Sequence, residues 1–335
     1  MHPSVNRFSI GPRLAGFSVS GLILAIILGL GWLASASLGQ GGVPAAPRPL
    51  APGVLTTIPP DLSPDDTVST HDLVEIRANQ ALQWNPEYLA VSDTLVGMSS
   101  AVKFRREIWG LEFSFKPLRL IEVDVPLPSG GMQRKFVWYL VYRVRNTGRT
   151  LEPVVGEGGV YTATPGRGDA VRFYPQFVLE SQDRDASGAR IEKAYLDRVI
   201  PAAVEAIARR ERLGSRLLSS VEMAEQPLPV SGERVDRGVW GVATWTDVDP
   251  RIDFFSVYVG GLTNAYQWQD TPGAYRSGDP PGKGRRFTRK MLQLNFWRPG
   301  DELMQSEQEI RYGVPPSQAD LYGVKDGVAH QWVYR

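Results

Sequence analysis

The apolar positions divide the chain into one uncharged N-terminal segment and a much longer part with alternating runs. Residues 14–38 carry no charge, and their centre is almost purely apolar. About 20 helical residues span the hydrocarbon core of a bilayer, so this segment predicts a transmembrane helix. Arg7 and Arg13 precede it, whereas the next charge is Arg48, and positive charge holds a terminus in the cytoplasm. We therefore expect residues 1–13 in the cytoplasm and the bulk of the chain on the non-cytoplasmic, periplasmic side of the cell membrane.

The same segment also fits a cleaved signal peptide. Ala34-Ser35-Ala36 has the small-x-small pattern of a cleavage site, and cleavage after Ala36 would release a secreted protein. The uncharged stretch is longer than the apolar core of a typical signal peptide, which spans roughly 7 to 15 residues. The retained anchor is the preferred interpretation, and the cleaved form remains open.

Two segments lead from the anchor to the folded part. Residues 39–69 hold seven prolines among Gly, Ala and Thr. Such a composition cannot bury enough apolar surface to fold and favours extended conformations, so it predicts a semi-rigid stalk. Residues 70–102 have a mixed pattern that predicts a helical or irregular lead-in.

Alternating apolar residues predict a mainly β domain over residues 103–335. Residues 109–125 and 134–148 form two neighbouring strands joined by a Pro-Ser-Gly-Gly turn at 128–131, and Pro117 indicates a bulge or edge position. Further strands are predicted at 171–180, 238–248, 253–262 and 290–299. Six or more strands separated by Gly, Pro and Asp turns are typical of an antiparallel, immunoglobulin-like β-sandwich.

One helix near residues 201–213 interrupts the strands. Pro201 suits the first helical position, helix-forming residues follow it, and Gly214 predicts the end of the helix. The preceding residues 191–199 fit either a helix or a strand. The polar stretch after Gly300 is expected to lie along the surface.

The composition excludes or disfavours several kinds of binding site and catalysis. The 37 basic and 36 acidic residues are balanced, which disfavours an electrostatic nucleic-acid binder. Cysteine is absent, which excludes disulfides, thiol nucleophiles and Cys-ligated metals. A histidine-based zinc site or catalytic triad would have to use His71 or His330. The Gly-rich stretches at 156–159 and 166–168 lack the setting and the lysine of a phosphate cradle, so neither a nucleotide nor another cofactor is expected.

Two resemblances accompany the strands. Residues 137–153 resemble the apolar strand and Asn-Thr-Gly turn of extracellular immunoglobulin-like domains. Segments 103–126, 142–148, 220–223 and 239–266 resemble an uncharacterised family of envelope proteins typical of planctomycete bacteria. The second resemblance implies an envelope compartment and this architecture, and it brings no activity or functional residue with it.

The densest acidic group consists of Asp247, Asp249 and Asp253, with Arg251 among them. Paired carboxylates serve acid–base hydrolysis of glycosidic bonds, where one of them is held protonated by an apolar site. They also ligate calcium. A solvated loop with an internal Asp–Arg pair is the simpler interpretation.

A second polar group matches the first half of a calcium loop. Asp183, Asp185 and Ser187 stand at alternate positions and are followed by Gly188. The twelfth position should then be glutamate, yet it is Ala194. A polar turn requires the same residue types for backbone reasons.

Three aromatic residues, Tyr266, Trp268 and Tyr275, belong to a predicted Gly/Pro loop over 263–284. Exposed rings there can stack on a sugar or anchor a partner, although a loop folded back by its own aromatics is the simpler interpretation. The basic residues of 282–290 predict a solvated strand edge that discourages pairing.

Together these patterns predict a non-enzymatic, membrane-anchored envelope protein, held by residues 14–38, that presents a β-sandwich interaction module to an envelope protein or wall component. Two alternatives remain open. One is a carboxylate-based hydrolase of envelope glycans that uses the Asp247–Asp253 group. The other is a secreted, calcium-stabilised adhesin that uses the Asp183–Ser187 group.

Overall fold

A computed structural model describes residues 55–70, 103–232, 234–274, 276, 279, 283–299 and 310–335. The predicted transmembrane segment, the first half of the predicted stalk and nearly all of the lead-in lie outside these ranges. Within them, no helix is long and apolar enough to cross a membrane. The described residues belong to one unit, Pro47–Arg335, and are mainly β, which confirms the predicted fold class at that level.

The strands, in chain order, are β1 Thr56–Ile58, β2 Val68–Thr70, β3 Lys103–Arg105, β4 Ile108–Trp109, β5 Glu112–Phe115, β6 Arg119–Pro126, β7 Met132–Arg145, β8 Arg149–Val155, β9 Tyr161–Arg167, β10 Val171–Arg172, β11 Gln176–Ser181, β12 Ala194–Leu196, β13 Leu217–Leu218, β14 Pro227–Leu228, β15 Val239–Thr246, β16 Phe254–Gly260, β17 Tyr266–Asp270, β18 Arg285–Trp297, β19 Arg311–Tyr312 and β20 His330–Tyr334. The helices of the same part are α1 Pro201–Glu211, α2 Ser220–Glu225 and α3 Ala319–Tyr322, with 3-10 turns at Pro64–Thr67 and Glu157–Gly159.

Three sheets contain most of these strands. The first sheet has the order β1-β5-β7-β15-β13, with β6 also paired to β7. The second has the order β12-β11-β16-β18-β17, with β19 and β20 also paired to β18, and the third is β4-β8-β9. Pairing in these sheets is antiparallel except between β13 and β15, which run parallel over two residue pairs. Each of the six predicted strand regions therefore contains at least one strand.

The predicted hairpin around residues 128–131 is present, and Pro117 marks a bulge. Phe115 lies opposite Tyr142 and Arg119 lies opposite Tyr139, so three residues of one strand face two of the other. One extra residue reverses the alternation of side chains along the strand. For that reason Lys116 and Arg119 both point away from the main core.

The main core lies between the first and second sheets. Phe115 and Trp138 of the first sheet meet Phe296 and Phe255 of the second edge to face, with ring centroids 6.2 and 5.5 Å apart. Burying a side chain of this size contributes about 1.5–3 kcal/mol relative to leaving it in water. Ring contacts of this kind join the two sheets face to face.

Strand β7 is buried on both faces. Its even-numbered residues from Trp138 to Val144 point into the main core, as their alternation predicts, whereas Phe136 is 43% exposed. The odd-numbered residues from Val137 to Val141 form a second core beneath α1. The inserted helix therefore covers a sheet face.

The bounds of α1 agree with the predicted start and differ from the predicted end. Pro201 occupies the first turn, where its missing N–H is not needed. Arg212, with φ of 51°, adopts the left-handed conformation that ends the helix, rather than Gly214. The residues 191–199, which fitted both patterns, contain the strand β12.

A buried ionic network fastens α1 to the first sheet. Glu211 accepts hydrogen bonds from Lys116 Nζ at 2.9 Å, Arg119 Nη1 at 3.2 Å and Tyr139 Oη at 2.8 Å. The Glu211 and Lys116 side chains are 0% and 2% exposed. The bulge at Pro117 is what brings the two cations to the same carboxylate.

The end of the predicted stalk belongs to the folded unit, which corrects the boundary at residue 69. Strand β1 pairs with β5, and Ile58 lies in the main core. Asp66 is 3% exposed, and its carboxylate is 2.8 Å from the buried Nζ of Lys290. The proline-rich composition did not reveal this, because one buried isoleucine and one buried ion pair leave no periodic signal.

The C-terminal segment also departs from its prediction as a surface stretch. Strand β20 pairs with five residues of β18 and adds an antiparallel strand to the second sheet. Its side chains are only half-buried, so its sequence lacks the strong alternation of a core strand.

Candidate functional site

Three predicted acidic residues from two different sequence groups line one cleft. Asp183, Asp249 and Asp253 border a cavity of ≈ 480 Å³ beside the start of β16, together with Lys193 and Arg251. In sequence, Asp183 belongs to the group that matches half of a calcium loop. Asp249 and Asp253 belong to the acidic group that fits a glycan hydrolase. The second sheet brings them together because β11, which precedes Asp183, pairs with β16.

Asp183 is fixed by backbone and hydroxyl donors. Its carboxylate accepts hydrogen bonds from the backbone N–H of Phe254 at 2.8 Å and of Asp253 at 3.3 Å, and from Ser181 Oγ at 2.9 Å. Burial raises the pKa of Asp183, and these hydrogen bonds offset the rise only in part. The residue therefore holds the loop after β11 against the start of β16.

Asp249 is neutralised by two cations. Arg251 donates from Nε and Nη2 at 3.1 and 3.0 Å, and Lys193 forms a second ion pair with the same carboxylate. These contacts hold the pKa of Asp249 well below its usual range. The two cations therefore favour the ionised form of Asp249.

Asp253 is the least engaged carboxylate of the cleft. From the described residues its side chain accepts no hydrogen bond, and burial together with the neighbouring charge of Asp183 raises its pKa, against the opposing effect of Arg298. The cleft thus combines one carboxylate whose pKa is lowered with two whose pKa values are raised.

Asp247 lies outside this group. It adopts a left-handed backbone conformation with φ of 59° in the turn after β15, and Lys135 Nζ donates to its carboxylate at 2.9 Å. That hydrogen bond lowers the pKa of Asp247. The predicted Asp247–Asp253 group is therefore divided between two places.

The calcium pattern forms a polar turn. The Asp185 carboxylate accepts hydrogen bonds from the backbone N–H of Ser187 at 2.8 Å and of Ala189 at 3.0 Å. Gly188 has φ of 83°, a conformation that glycine adopts without strain. Among the described residues no group of three or more His, Asp or Glu side chains is placed to hold a metal ion. Calcium binding here stays a prediction from sequence.

The predicted aromatic loop is in part a strand. Tyr266 and Trp268 lie in β17, paired with β18, and not in an open loop. The Arg106 guanidinium lies 3.6 Å from the ring centre of Tyr266, and the Arg285 guanidinium lies 3.4 Å from that of Trp268. Each ring is half-buried and stacked within the protein. Tyr275 lies outside the described residues.

The candidate histidine His330 is also occupied within the fold. It lies in β20, where its Nδ1 is 3.0 Å from the hydroxyl of Tyr312. The other candidate histidine, His71, lies outside the described residues.

One exposed apolar group was not singled out by the sequence patterns. It lies at the tip of the hairpin formed by β8 and β9, where Val154, Val155, Val160 and Tyr161 are 45, 56, 65 and 43% exposed. These residues flank the Gly-rich stretch 156–159, which lacks the setting of a phosphate cradle. Val154-Val155 before the Gly-rich turn and Val160-Tyr161 after it were the available hairpin signal.

No protein-family model, no curated protein and no solved structure matches this chain.

Proposed function

We propose that this chain is a non-enzymatic, membrane-anchored protein of the cell envelope, and that its β-rich unit is an interaction module. The observation that carries the proposal is the hairpin tip, where four apolar side chains are 43–65% exposed. A surface with clustered apolar side chains marks an interaction site more often than an incidental exposure. The predicted anchor at residues 14–38 and the resemblance to planctomycete envelope proteins support the compartment.

We also propose that the two larger sheets form an immunoglobulin-like sandwich. Their shared core and their almost wholly antiparallel pairing support this fold type. The parallel β13–β15 pair and the helix α1 are additions to it.

Contacts that engage most of the predicted site residues within the fold support a binding role. Within the described part, Asp249 and Asp247 form ion pairs with basic side chains, and Asp183 is held by three donors. Tyr266 and Trp268 are stacked on the protein's own arginines. Most predicted site residues thus have structural partners.

The proposed topology is tested by single-cysteine labelling, because the chain has no cysteine of its own. Ser4→Cys lies before the predicted anchor, and Ala186→Cys lies in the exposed 183–188 turn. A membrane-impermeant maleimide applied to intact spheroplasts should label Ala186→Cys and spare Ser4→Cys, with both labelled after lysis. Carbonate extraction should leave the chain in the membrane. Labelling of the Ser4→Cys variant alone, or release by carbonate, would contradict the proposal.

A second candidate function, a carboxylate-based hydrolase of envelope glycans, is favoured by one observation. The cleft holds Asp253, whose pKa is raised, beside Asp249, whose pKa is lowered, and environments that separate two carboxyl pKa values suit an acid and its ionised partner. The test is hydrolysis of isolated envelope glycans. Activity that Asp253→Asn abolishes and the matched Asp247→Asn retains would favour this function, whereas absence of turnover by the unmodified chain would exclude it.

A further inference from the structure

The β8–β9 hairpin has one continuous apolar face. Side chains of cross-strand partners share a face, and alternate residues of each strand lie on it. This face consists of three pairs: Leu151 with Pro165, Pro153 with Ala163, and Val155 with Tyr161. The residues near the base are largely half-buried, whereas Val155 and Tyr161 at the tip are 56% and 43% exposed.

Two arginines lie on the same face at the base of the hairpin. Arg149 lies directly opposite Arg167, on the face of the apolar pairs, and both are exposed. Neither forms a salt bridge with a described residue, and like charges in this position destabilise a strand pair. A third cation, Arg105, lies 4.0 Å from the ring centre of Tyr161. An external anion beside this face would relieve the repulsion.

A segment that follows the predicted anchor in sequence contacts this hairpin. The 3-10 turn Pro64–Thr67 packs against both β8 and β9. Residues 39–54, which separate the predicted anchor from the described part, can span at most about 55 Å when fully extended. The hairpin of an anchored chain therefore stays within reach of the bilayer surface.

Apolar side chains beside a tyrosine and arginines match the interfacial layer of a membrane. Tyrosine is enriched at that depth, and arginine attracts anionic headgroups. Glu157 at the hairpin apex favours a shallow position, at the boundary between headgroups and acyl chains, about 5–10 Å deep.

We infer that the apolar face of the β8–β9 hairpin docks on the surface of a bilayer that contains anionic lipid, and so orients the β-rich unit on its membrane. This inference rests on the proposed membrane anchor and names the partner of the proposed interaction surface.

The experiment uses the full chain, reconstituted into vesicles of phosphatidylcholine mixed with phosphatidylglycerol. Val155→Cys, or Val160→Cys as a second position, carries an environment-sensitive fluorophore. The matched control is Leu196→Cys in β12, which is 64% exposed on the second sheet. Emission at 155 and 160 should shift to the blue and be quenched by brominated acyl chains, whereas emission at 196 should do neither. Changing Arg149 and Arg167 to Gln should weaken docking roughly 30-fold, because each arginine near an anionic surface contributes about 1 kcal/mol.

The outcomes distinguish failure of the proposed anchor from failure of the proposed docking. Release of the reconstituted chain from the vesicles by carbonate would show that residues 14–38 do not anchor it. A chain that resists extraction but shows no bromolipid quenching at 155 or 160 would overturn the docking inference alone. A blue shift without bromolipid quenching would show that protein covers the hairpin instead, and it would overturn the inference as well. Quenching that is independent of phosphatidylglycerol and of the two arginines would refute the role assigned to anionic lipid.

Discussion

Replacing Glu211 by Gln tests whether the buried network fastens α1 to the first sheet. The carboxylate is 0% exposed, and three side chains donate to it at 2.8–3.2 Å. Glutamine keeps the shape and removes the charge, which takes from the buried Lys116 ammonium the carboxylate that lies 2.9 Å away. Removing one partner of a buried ion pair costs about 3–5 kcal/mol. For a unit of this size, that lowers the thermal midpoint by about 10 °C.

Urea unfolding of the full chain in mild detergent, followed by tryptophan fluorescence, measures this loss. The matched control is Glu122→Gln, which breaks the ion pair between Glu122 and Arg134. These two side chains are 40% and 72% exposed. Exposed pairs contribute about 0–1 kcal/mol, so the control should be nearly silent. A loss below about 1 kcal/mol for Glu211→Gln would refute the reasoning from buried charge.

The pH dependence supplies an independent check of the same network. Burial alone raises the pKa of Glu211, but the hydrogen bonds from Lys116 and Tyr139 and the two nearby positive charges outweigh it, so the pKa is lowered from its ordinary value of 4.5. A carboxyl with a lowered pKa stabilises the folded state above its ordinary pKa, and the stabilisation is lost as the pH falls through the folded value. The difference between wild type and Glu211→Gln should therefore shrink below about pH 4.

Further predictions concern four single positions. Gly241→Ala should lower the thermal midpoint, because the added Cβ overlaps the buried ring of Tyr142 and overpacking costs about 1–3 kcal/mol; an unchanged midpoint would contradict this. Arg212→Gly should stabilise the chain by about 1 kcal/mol in urea unfolding, since glycine adopts the left-handed conformation without strain, and a loss of stability would count against it. Asp253→Asn should raise the thermal midpoint at pH 7 and do so less at pH 4, because the raised pKa of Asp253 makes its ionised form unfavourable in the fold. Asp247→Asn should have the opposite sign at pH 7, because Lys135 stabilises that carboxylate; equal signs for the two variants would contradict the assignment.

Sequence patterns predicted those secondary-structure elements that are determined by residues close together in the chain. Alternation along residues 134–148 predicted β7 and its core face, because a strand with one face in a core must repeat every second residue. Pro201 predicted the start of α1, and Pro117 predicted the bulge, because proline restricts the backbone wherever it stands. Trp240 and Trp245 lie on opposite faces of β15, because they are an odd number of residues apart and side chains alternate along a strand.

The candidate site depended on contacts between distant residues. Asp183 and Asp253 are 70 positions apart, and only the pairing of β11 with β16 brings them to one cleft. Conversely, Asp247 and Asp249 are near neighbours in sequence, yet the left-handed turn at Asp247 directs it to Lys135. Sequence proximity therefore did not predict which carboxylates meet.

The sequence by itself determined the mainly β class, the placement of the inserted helix, and the absence of thiol chemistry, because each follows from residue type or local period. Only the tertiary structure decided that residues 55–70 and β20 belong to the fold, and which ions pair in its interior. Those features arise from long-range pairing and burial, in which a single Asp66 or Glu211 is stabilised by partners far along the chain. The physical reason is that a buried charge selects its partner by position in space, and that position exists only after the sheets have packed.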